Sequence, residues 1–189
     1  MISDKGVVLT NSHVAQYFLL KEAGYECSIR RENIPLYGFT AKPLYISESW
    51  IQNNSKQITN SSPTGTGKYD YALLYITGST NPVIPLPSFP SLKINTTSKF
   101  LDKGDTITVA GYPGKVTYSL EVAKNAELVS DKVSIKDIFT LGNNTVDVVA
   151  TSDTNVAQRG SSGGGAFKNN ELGGIIVSTN NGSASGKFV

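Results

Sequence analysis

The segment Gly6-Val7-Val8-Leu9-Thr10-Asn11-Ser12-His13-Val14 places the only histidine of the chain directly after a short apolar run. Residues 6–10 predict a β-strand, and residues 13–23 predict a short helical stretch that ends at Gly24. A lone histidine is most often a surface residue or a packed core residue. Its alternative role is that of a general base, because imidazole changes protonation near neutral pH.

An acidic residue opens a later apolar strand, within Lys68-Tyr69-Asp70-Tyr71-Ala72-Leu73-Leu74. The strand is predicted over Tyr69–Thr77, and a charge at such a place is commonly a solvated strand end. The alternative is that Asp70 accepts the Nδ1–H of His13, which would fix the ring tautomer and stabilise the imidazolium.

A glycine-rich hexamer, Gly160-Ser161-Ser162-Gly163-Gly164-Gly165, lies between two predicted strands. Such a composition is typical of a flexible linker, but its position inside a run of strands favours a tight turn that presents a hydroxyl. In that interpretation Ser162 is a nucleophile that needs an imidazole to take its proton. The N–H groups of Gly160 and Ser162 could then converge as an oxyanion hole.

The rest of the chain reads as strands separated by turns, with a polar loop at 52–68 and four prolines between Pro82 and Pro90 that favour a rigid connector. The further predicted strands are Cys27–Arg30, Phe39–Ile46, Thr106–Ala110, Val116–Leu128, Val146–Thr151, Gly165–Phe167 and Gly174–Ser178.

Composition excludes several classes of protein. The chain has 189 residues, a net charge of +2 and no cluster of basic residues, so nucleic acid is not an expected partner. No apolar run is long enough to span a membrane. One cysteine and one histidine exclude an internal disulfide and a zinc site of several Cys or His ligands, and no metal or cofactor is expected. No secretion signal is visible, and the opening turn suggests a hairpin partner upstream.

Taken together, these segments resemble the trypsin/chymotrypsin-like serine peptidases, in particular the bacterial trypsin-like domains related to HtrA. GVVLTNSHV at 6–14, DYALL at 70–74, Gly111-Tyr112-Pro113, GSSGGG at 160–165 and GGIIVS at 173–178 are similar to the family's motifs in order and spacing. The resemblance implies His13 as general base, Asp70 as its orienter, Ser162 as nucleophile, and Gly160 and Ser162 as oxyanion donors.

The resemblance also implies an all-β fold of two six-stranded antiparallel β-barrels, the first truncated at the N-terminus. The expected division is an N-terminal half at 1–80, a proline-rich connector at 81–100 and a C-terminal half at 101–189. Ser161 stands where zymogen-activated relatives often carry Asp, so activation by a freed N-terminus is not expected.

The resemblance places the substrate pocket between two short segments. They are Val156, Ala157 and Gln158 before the nucleophile, and Val177, Ser178 and Thr179 opposite. Val156 would lie near the pocket base, where relatives specific for Lys or Arg carry Asp. An apolar base cannot compensate the burial of a cation, so a small or aliphatic P1 residue is expected.

The leading hypothesis is therefore a serine endopeptidase that acts on peptides or proteins. The main alternative is a catalytically inert trypsin-like domain that binds peptides or scaffolds an assembly, and an ester hydrolase with the same machinery is a weaker one. Family resemblance favours an extracytoplasmic or cell-envelope location, and the sequence leaves the oligomeric state open.

Overall fold

The computed structural model describes residues 1–24, 27–30, 38–58, 69–97, 99–113, 127–141, 146–158, 160–179 and 185–188. Within these ranges, ten strands form two antiparallel sheets, which confirms the predicted all-β class. The strands are β1 (Val7–Thr10), β2 (Ile29–Arg30), β3 (Gly38–Ile46), β4 (Ala72–Ser79), β5 (Thr106–Gly111), β6 (Val129–Leu141), β7 (Val146–Asp153), β8 (Gly165–Lys168), β9 (Glu171–Thr179) and β10 (Ser185–Phe188).

The first sheet has the order β1-β4-β3-β2 and curls around a small apolar core. Alternate residues of β4 (Ala72, Leu74 and Ile76) point inward and are almost completely buried. This period-two burial is what a strand with one buried face requires. In the register of β1 against β4, Val8 lies opposite Leu74 and Thr10 opposite Ala72, so the end of β1 lies beside the start of β4.

The second sheet closes on itself as a six-stranded barrel, in the order β10-β7-β6-β5-β8-β9. Its interior is filled by β-branched residues from several strands, which suit a packed strand interior. The buried members of this core are Ile107, Val109, Val133, Ile135, Val149, Val156, Ala157, Ala166 and Ile176. The glycine-rich hexamer lies between β7 and β8, so both ends of its segment are attached to strands of the closed barrel.

Within the described residues, two short α-helices, each followed by a 3₁₀ segment, interrupt the strands. Helix α1 (Ser12–Ala15) continues as a 3₁₀ helix over Gln16–Ala23, in agreement with the predicted helical stretch. Helix α2 (Glu48–Asn54) contradicts part of the predicted loop at 52–68, and a 3₁₀ turn follows it over Ser55–Gln57. The Ser47 side chain caps α2 by accepting the Trp50 N–H, and Trp50 is buried. Residues 59–68 of that loop lie outside the described residues.

The structure also contains two strands, β6 and β10, that were not predicted from the sequence. The sequence predicts a strand at Val116–Leu128, of which residues 116–126 lie outside the described residues. The structure instead has the long β6 after it, and β10 near the end of the chain, neither of which was predicted. In β6 the buried Val133 and Ile135 alternate with exposed charged and polar residues, so no continuous apolar run marks the strand.

The segment between the two sheets docks on both of them. Phe89 packs edge-on against Phe39 of the first sheet, with ring centroids 5.2 Å apart. Further along, Lys93 and Asn95 both contact the Glu171 carboxylate at the start of β9. The backbone repeats this attachment, because Asn95 N donates to Leu172 O at 2.9 Å. The segment therefore ties the first sheet to the β8–β9 hairpin.

We predict that Glu171→Gln lowers stability at neutral pH and flattens its pH dependence. The hydrogen bonds from Lys93 and Asn95 hold the pKa of Glu171 below its ordinary value of 4.5. A carboxyl whose pKa is lowered by folding stabilises the protein fully above that ordinary value, and loses the effect as the pH falls through the folded-state pKa. Urea denaturation between pH 3 and 7 measures the difference.

Glu127→Gln is the control for this experiment, because Glu127 is exposed and forms no ion pair within the described residues. Equal losses of stability in the two variants across the pH range would contradict the role given to Glu171.

Candidate active site

His13 is held at the start of α1, where β1 ends. Asn11 has extended backbone angles (φ −82°, ψ 152°), and its carbonyl accepts the first helical N–H groups, from Val14 and Ala15. This turn directs His13 inward, and only 5% of the residue is exposed. The position of the imidazole thus follows from the junction between strand and helix.

Asp70 contacts the same residue twice. Its Oδ2 lies 2.7 Å from His13 Nδ1, and its Oδ1 accepts the His13 backbone N–H at 2.9 Å. Asp70 is completely buried, and an ionised carboxylate can only accept hydrogen bonds. Nδ1 of the imidazole must therefore carry the hydrogen, which leaves Nε2 as an acceptor when the ring is neutral.

Three polar residues beside His13 reinforce this contact, and sequence reasoning missed all three. Asn11 Nδ2 donates to the Asp70 carbonyl at 2.9 Å, and Ser12 Oγ donates to the Tyr71 carbonyl at 2.7 Å. Gln16 Nε2 donates to the His13 carbonyl at 2.7 Å. These side chains are completely buried. Asn11 and Ser12 attach the start of α1 to the residues just before β4, whereas Gln16 holds the His13 backbone within its own helical segment. The only signal in the sequence is a run of uncharged polar residues around a histidine.

The glycine-rich hexamer forms a turn that leads into β8, with Ser162 half-buried at its centre. Gly163 N donates to Ile176 O at 2.9 Å, and Ile176 N donates to Gly164 O at 2.8 Å. The turn is therefore attached to β9 on both sides of Gly163. Gly163 has a φ of +84°, in the region that favours glycine.

The end of β1 and this turn are in direct contact. A Cβ built on Gly163 would overlap Thr10 Oγ1, so only a glycine allows the two segments to approach this closely. Ser162 is the neighbour of Gly163, and His13 follows Thr10 by three residues, so the contact brings the two predicted reacting residues into one region. The structure describes both side chains, and it shows no hydrogen bond between Ser162 Oγ and His13 Nε2.

The backbone donors of the turn fall into two sets. The N–H groups of Ser161, Gly163 and Gly164 donate to Gln158 O, Ile176 O and Ser161 O respectively. The N–H groups of Gly160 and Ser162 make no hydrogen bond with any described residue. The two unused donors are the two that were predicted from the sequence to face an oxyanion.

The residues predicted to line the substrate pocket have different surroundings. Val156 and Ala157 belong to the apolar core of the barrel and are at most 1% exposed, whereas Gln158 is exposed. Val177 is also buried, and Ser178 and Thr179 continue β9 beyond it. The first segment thus combines buried and surface positions. Arg159 lies outside the described residues.

Other chemistry has little support in the described part of the chain. Cys27 is half-buried, and burial raises the pKa of its thiol, which opposes a role as a nucleophile. No group of three potential metal ligands occurs among the described residues. A helix of the length and apolarity needed to cross a membrane is likewise missing from the residues that the structure describes.

Comparison with solved structures shows the same architecture in several proteases. An HtrA-type protease with a decapeptide matches with a TM-score of 0.57 and 18% identity, over 100% of this chain and 45% of its own. A Glu endopeptidase matches with a TM-score of 0.58 and 14% identity, over 100% and 76%. A scabies mite inactivated protease paralogue matches with a TM-score of 0.56 and 14% identity, over 100% and 79%. This chain thus spans less than half of the HtrA-type protease.

At the level of sequence, no curated protein matches the chain. The family model of the trypsin-like peptidase domain, however, matches residues 1–175. This match covers every motif from the β1 strand to β8, and the two antiparallel sheets have the corresponding two-barrel fold. The chain therefore belongs to the trypsin-like peptidase domain family.

Proposed function

We propose that the chain is a serine endopeptidase in which Ser162 is the nucleophile, His13 the general base and Asp70 the residue that orients His13. The observation that carries the proposal is the buried hydrogen bond of 2.7 Å between His13 Nδ1 and Asp70 Oδ2. A surface histidine or a solvated strand end would not explain a carboxylate that is completely buried against one imidazole.

In the proposed reaction, Ser162 Oγ attacks the carbonyl carbon of the scissile peptide bond while its proton passes to His13 Nε2. The imidazolium so formed is stabilised by Asp70, which stays ionised. His13 then donates the proton to the leaving amine, the C–N bond breaks, and an acyl-enzyme remains on Ser162. Water, activated by the same imidazole, hydrolyses the ester and regenerates the serine.

The positions of the two segments support this reaction without a hydrogen bond between base and nucleophile. The contact of Gly163 with Thr10 keeps the hexamer beside the end of β1. Catalytic hydrogen bonds often become short only when the substrate is bound. We expect the Ser162 Oγ to His13 Nε2 bond to form at that step.

The unused N–H groups of Gly160 and Ser162 support an oxyanion hole. The tetrahedral intermediate places a negative charge on the former carbonyl oxygen, and two backbone donors that have no partner among the described residues can stabilise it. The N–H groups of Ser161, Gly163 and Gly164 are engaged inside the protein, so they do not compete for this oxygen.

We propose that the substrate is a peptide with a small or aliphatic P1 residue. Val156 and Ala157 are apolar and buried, and neither can compensate the charge of an incoming Lys or Arg side chain. A set of peptides that differ only at P1 (Ala, Val, Leu, Glu, Lys) tests this preference. Faster cleavage after Lys or Glu than after Val would contradict it.

A second candidate is an inert peptide-binding domain. One of the matched structures is an inactivated protease paralogue, so the two-barrel architecture alone does not imply catalysis. The retained His13, Asp70 and Ser162 favour the enzyme, because a binding domain does not need all three groups. Covalent labelling of Ser162 by a fluorophosphonate distinguishes the two, since only an activated serine reacts.

We expect His13→Ala and Ser162→Ala to abolish peptide cleavage to about the same extent. Groups that act as a unit are not additive, so the double variant should be scarcely slower than either single variant. Steady-state kinetics and fluorophosphonate labelling measure these effects. Undiminished cleavage by Ser162→Ala would refute the mechanism.

Asp70→Asn tests the orienting role, and we expect a loss of kcat on the order of 10⁴-fold. The amide oxygen must still accept the backbone N–H of His13, so the amide NH₂ would face Nδ1. Nδ1 then becomes the acceptor and Nε2 carries the hydrogen, which prevents Nε2 from taking the proton of Ser162. Asp4→Asn, at an exposed position, is the matched control and should retain full activity.

Gly163→Ala tests the contact between the two segments. The added Cβ would overlap Thr10 Oγ1, and the backbone angle of +84° would be strained by about 1–2 kcal/mol. We expect a large loss of activity, part of which returns in the double variant with Thr10→Ala. Gly104→Ala is the control for strain alone, because Gly104 has a φ of +90° with no neighbour within 4 Å of an added Cβ. Equal effects of Gly104→Ala and Gly163→Ala would exclude the contact as the cause.

A further inference from the structure

Ser161, the neighbour of the proposed nucleophile, closes the turn that carries it. Its hydroxyl donates to the Val156 carbonyl, and its N–H donates to Gln158 O at 3.1 Å. Its own carbonyl accepts the Gly164 N–H at 2.9 Å. Ser161 is 1% exposed, so all three bonds lie inside the protein and span the turn on both sides of Ser162.

The same network continues to strand β6 through Thr154. Val156 N donates to Thr154 Oγ1 at 3.1 Å, and Thr154 Oγ1 donates to Asp131 Oδ2 at 2.9 Å. A chain of hydrogen bonds therefore runs from Asp131 through Thr154 and the Val156 peptide to Ser161. Thr154 is 4% exposed and Val156 is completely buried, so water does not replace these bonds easily.

Close packing against β5 explains why the residue before the nucleophile is small and neutral. A Cβ on Gly111 would lie 3.1 Å from Ser161 Cβ and 3.2 Å from Ser161 Oγ, so the turn approaches the end of β5 very closely. A carboxylate at position 161 would face the Val156 carbonyl, which can only accept, and would be buried without a donor there. A hydroxyl needs no cationic partner at this place.

We propose that Ser161 and Thr154 are positioning residues that hold the nucleophile turn in its active conformation through the hydrogen bonds of their hydroxyl groups. The inference rests on the proposed peptidase function and adds how its oxyanion donors are kept in place. With Ser161, Gly163 and Gly164 engaged, the N–H groups of Gly160 and Ser162 stay available to the substrate. Among the described residues of this turn, no ion pair contributes to its organisation.

The first test is Ser161→Ala, which removes the hydroxyl and leaves the Val156 carbonyl without its donor. We expect kcat to fall about 10-fold or more, short of the roughly 10²- to 10³-fold that follows loss of an oxyanion donor. KM should change less than about twofold, because substrate binding in the ground state does not depend on the oxyanion contacts. Affinity for a peptide boronic acid, which forms a tetrahedral adduct with the serine, should weaken in parallel with kcat.

The second test uses a matched pair at Thr154. Thr154→Val keeps the shape but loses the hydroxyl, and should lower kcat several-fold. Thr154→Ser keeps the hydroxyl, so its kcat should be close to that of the parent. Ser130→Ala is the control, since the exposed Ser130 side chain makes no hydrogen bond with any described residue. If Ser161→Ala fails to fold, the Thr154 pair still decides the question.

A readout without turnover separates this inference from the proposed function. Amide hydrogen exchange at Ser161, Gly163 and Gly164 should accelerate in Ser161→Ala and Thr154→Val, whether or not the parent cleaves peptides. A parent that neither cleaves peptides nor reacts with a fluorophosphonate refutes the proposed function. Hydrogen exchange that is unchanged in both Ser161→Ala and Thr154→Val refutes the positioning role. If the parent is active, a kcat of these two variants equal to that of the Ser130→Ala control refutes it as well.

Discussion

The buried carboxylate of Asp70 is the constraint on which the first half of the molecule depends. A completely buried charge is tolerated only where donors surround it, and both donors here come from His13, one from the backbone and one from the ring. The bonds of Asn11 and Ser12 to the carbonyls of Asp70 and Tyr71 extend this attachment. The start of α1 is therefore fixed to the start of β4 by four hydrogen bonds, and the imidazole has little freedom to turn.

The second half is organised differently, because its support is an apolar core within a closed barrel. A closed barrel has no free sheet edge, and β-branched side chains fill its interior at high density. The turn that carries Ser162 rests on this barrel through Gly163, Gly164 and Ile176. The proposed base is thus held by polar bonds to one strand, and the proposed nucleophile by a rigid apolar body.

The sequence was most informative where short motifs coincide with strands. β1, β4, β5, β8 and β9 were predicted because each is a compact apolar run beside a glycine, an aspartate or the histidine. β6 was missed because its buried Val133 and Ile135 alternate with polar residues. Helix α2 was missed because its many Asn, Ser and Gln residues are typical of a loop, although Ser47 caps the helix and Trp50 is buried beneath it. The pairing of His13 with Asp70 was predicted from motif order and family resemblance. The partners of Asn11 and Ser12 lie 59 residues away, and no local pattern encodes that separation.

The placement of the two halves relative to each other depends on sterically strict contacts. The connector packs Phe89 into the first core and pairs Asn95 with Leu172 of the second sheet, so it acts as a structural element rather than a free linker. Thr10 against Gly163 then sets the separation between the strand that precedes the imidazole and the turn that presents the hydroxyl. Any side chain at position 163 would push these segments apart, and a displacement of about 1 Å can cost a reaction about 10²-fold in rate. Glycine at position 163 is therefore required for two reasons: the turn needs a positive φ, and the close approach of Thr10 leaves no space for a Cβ.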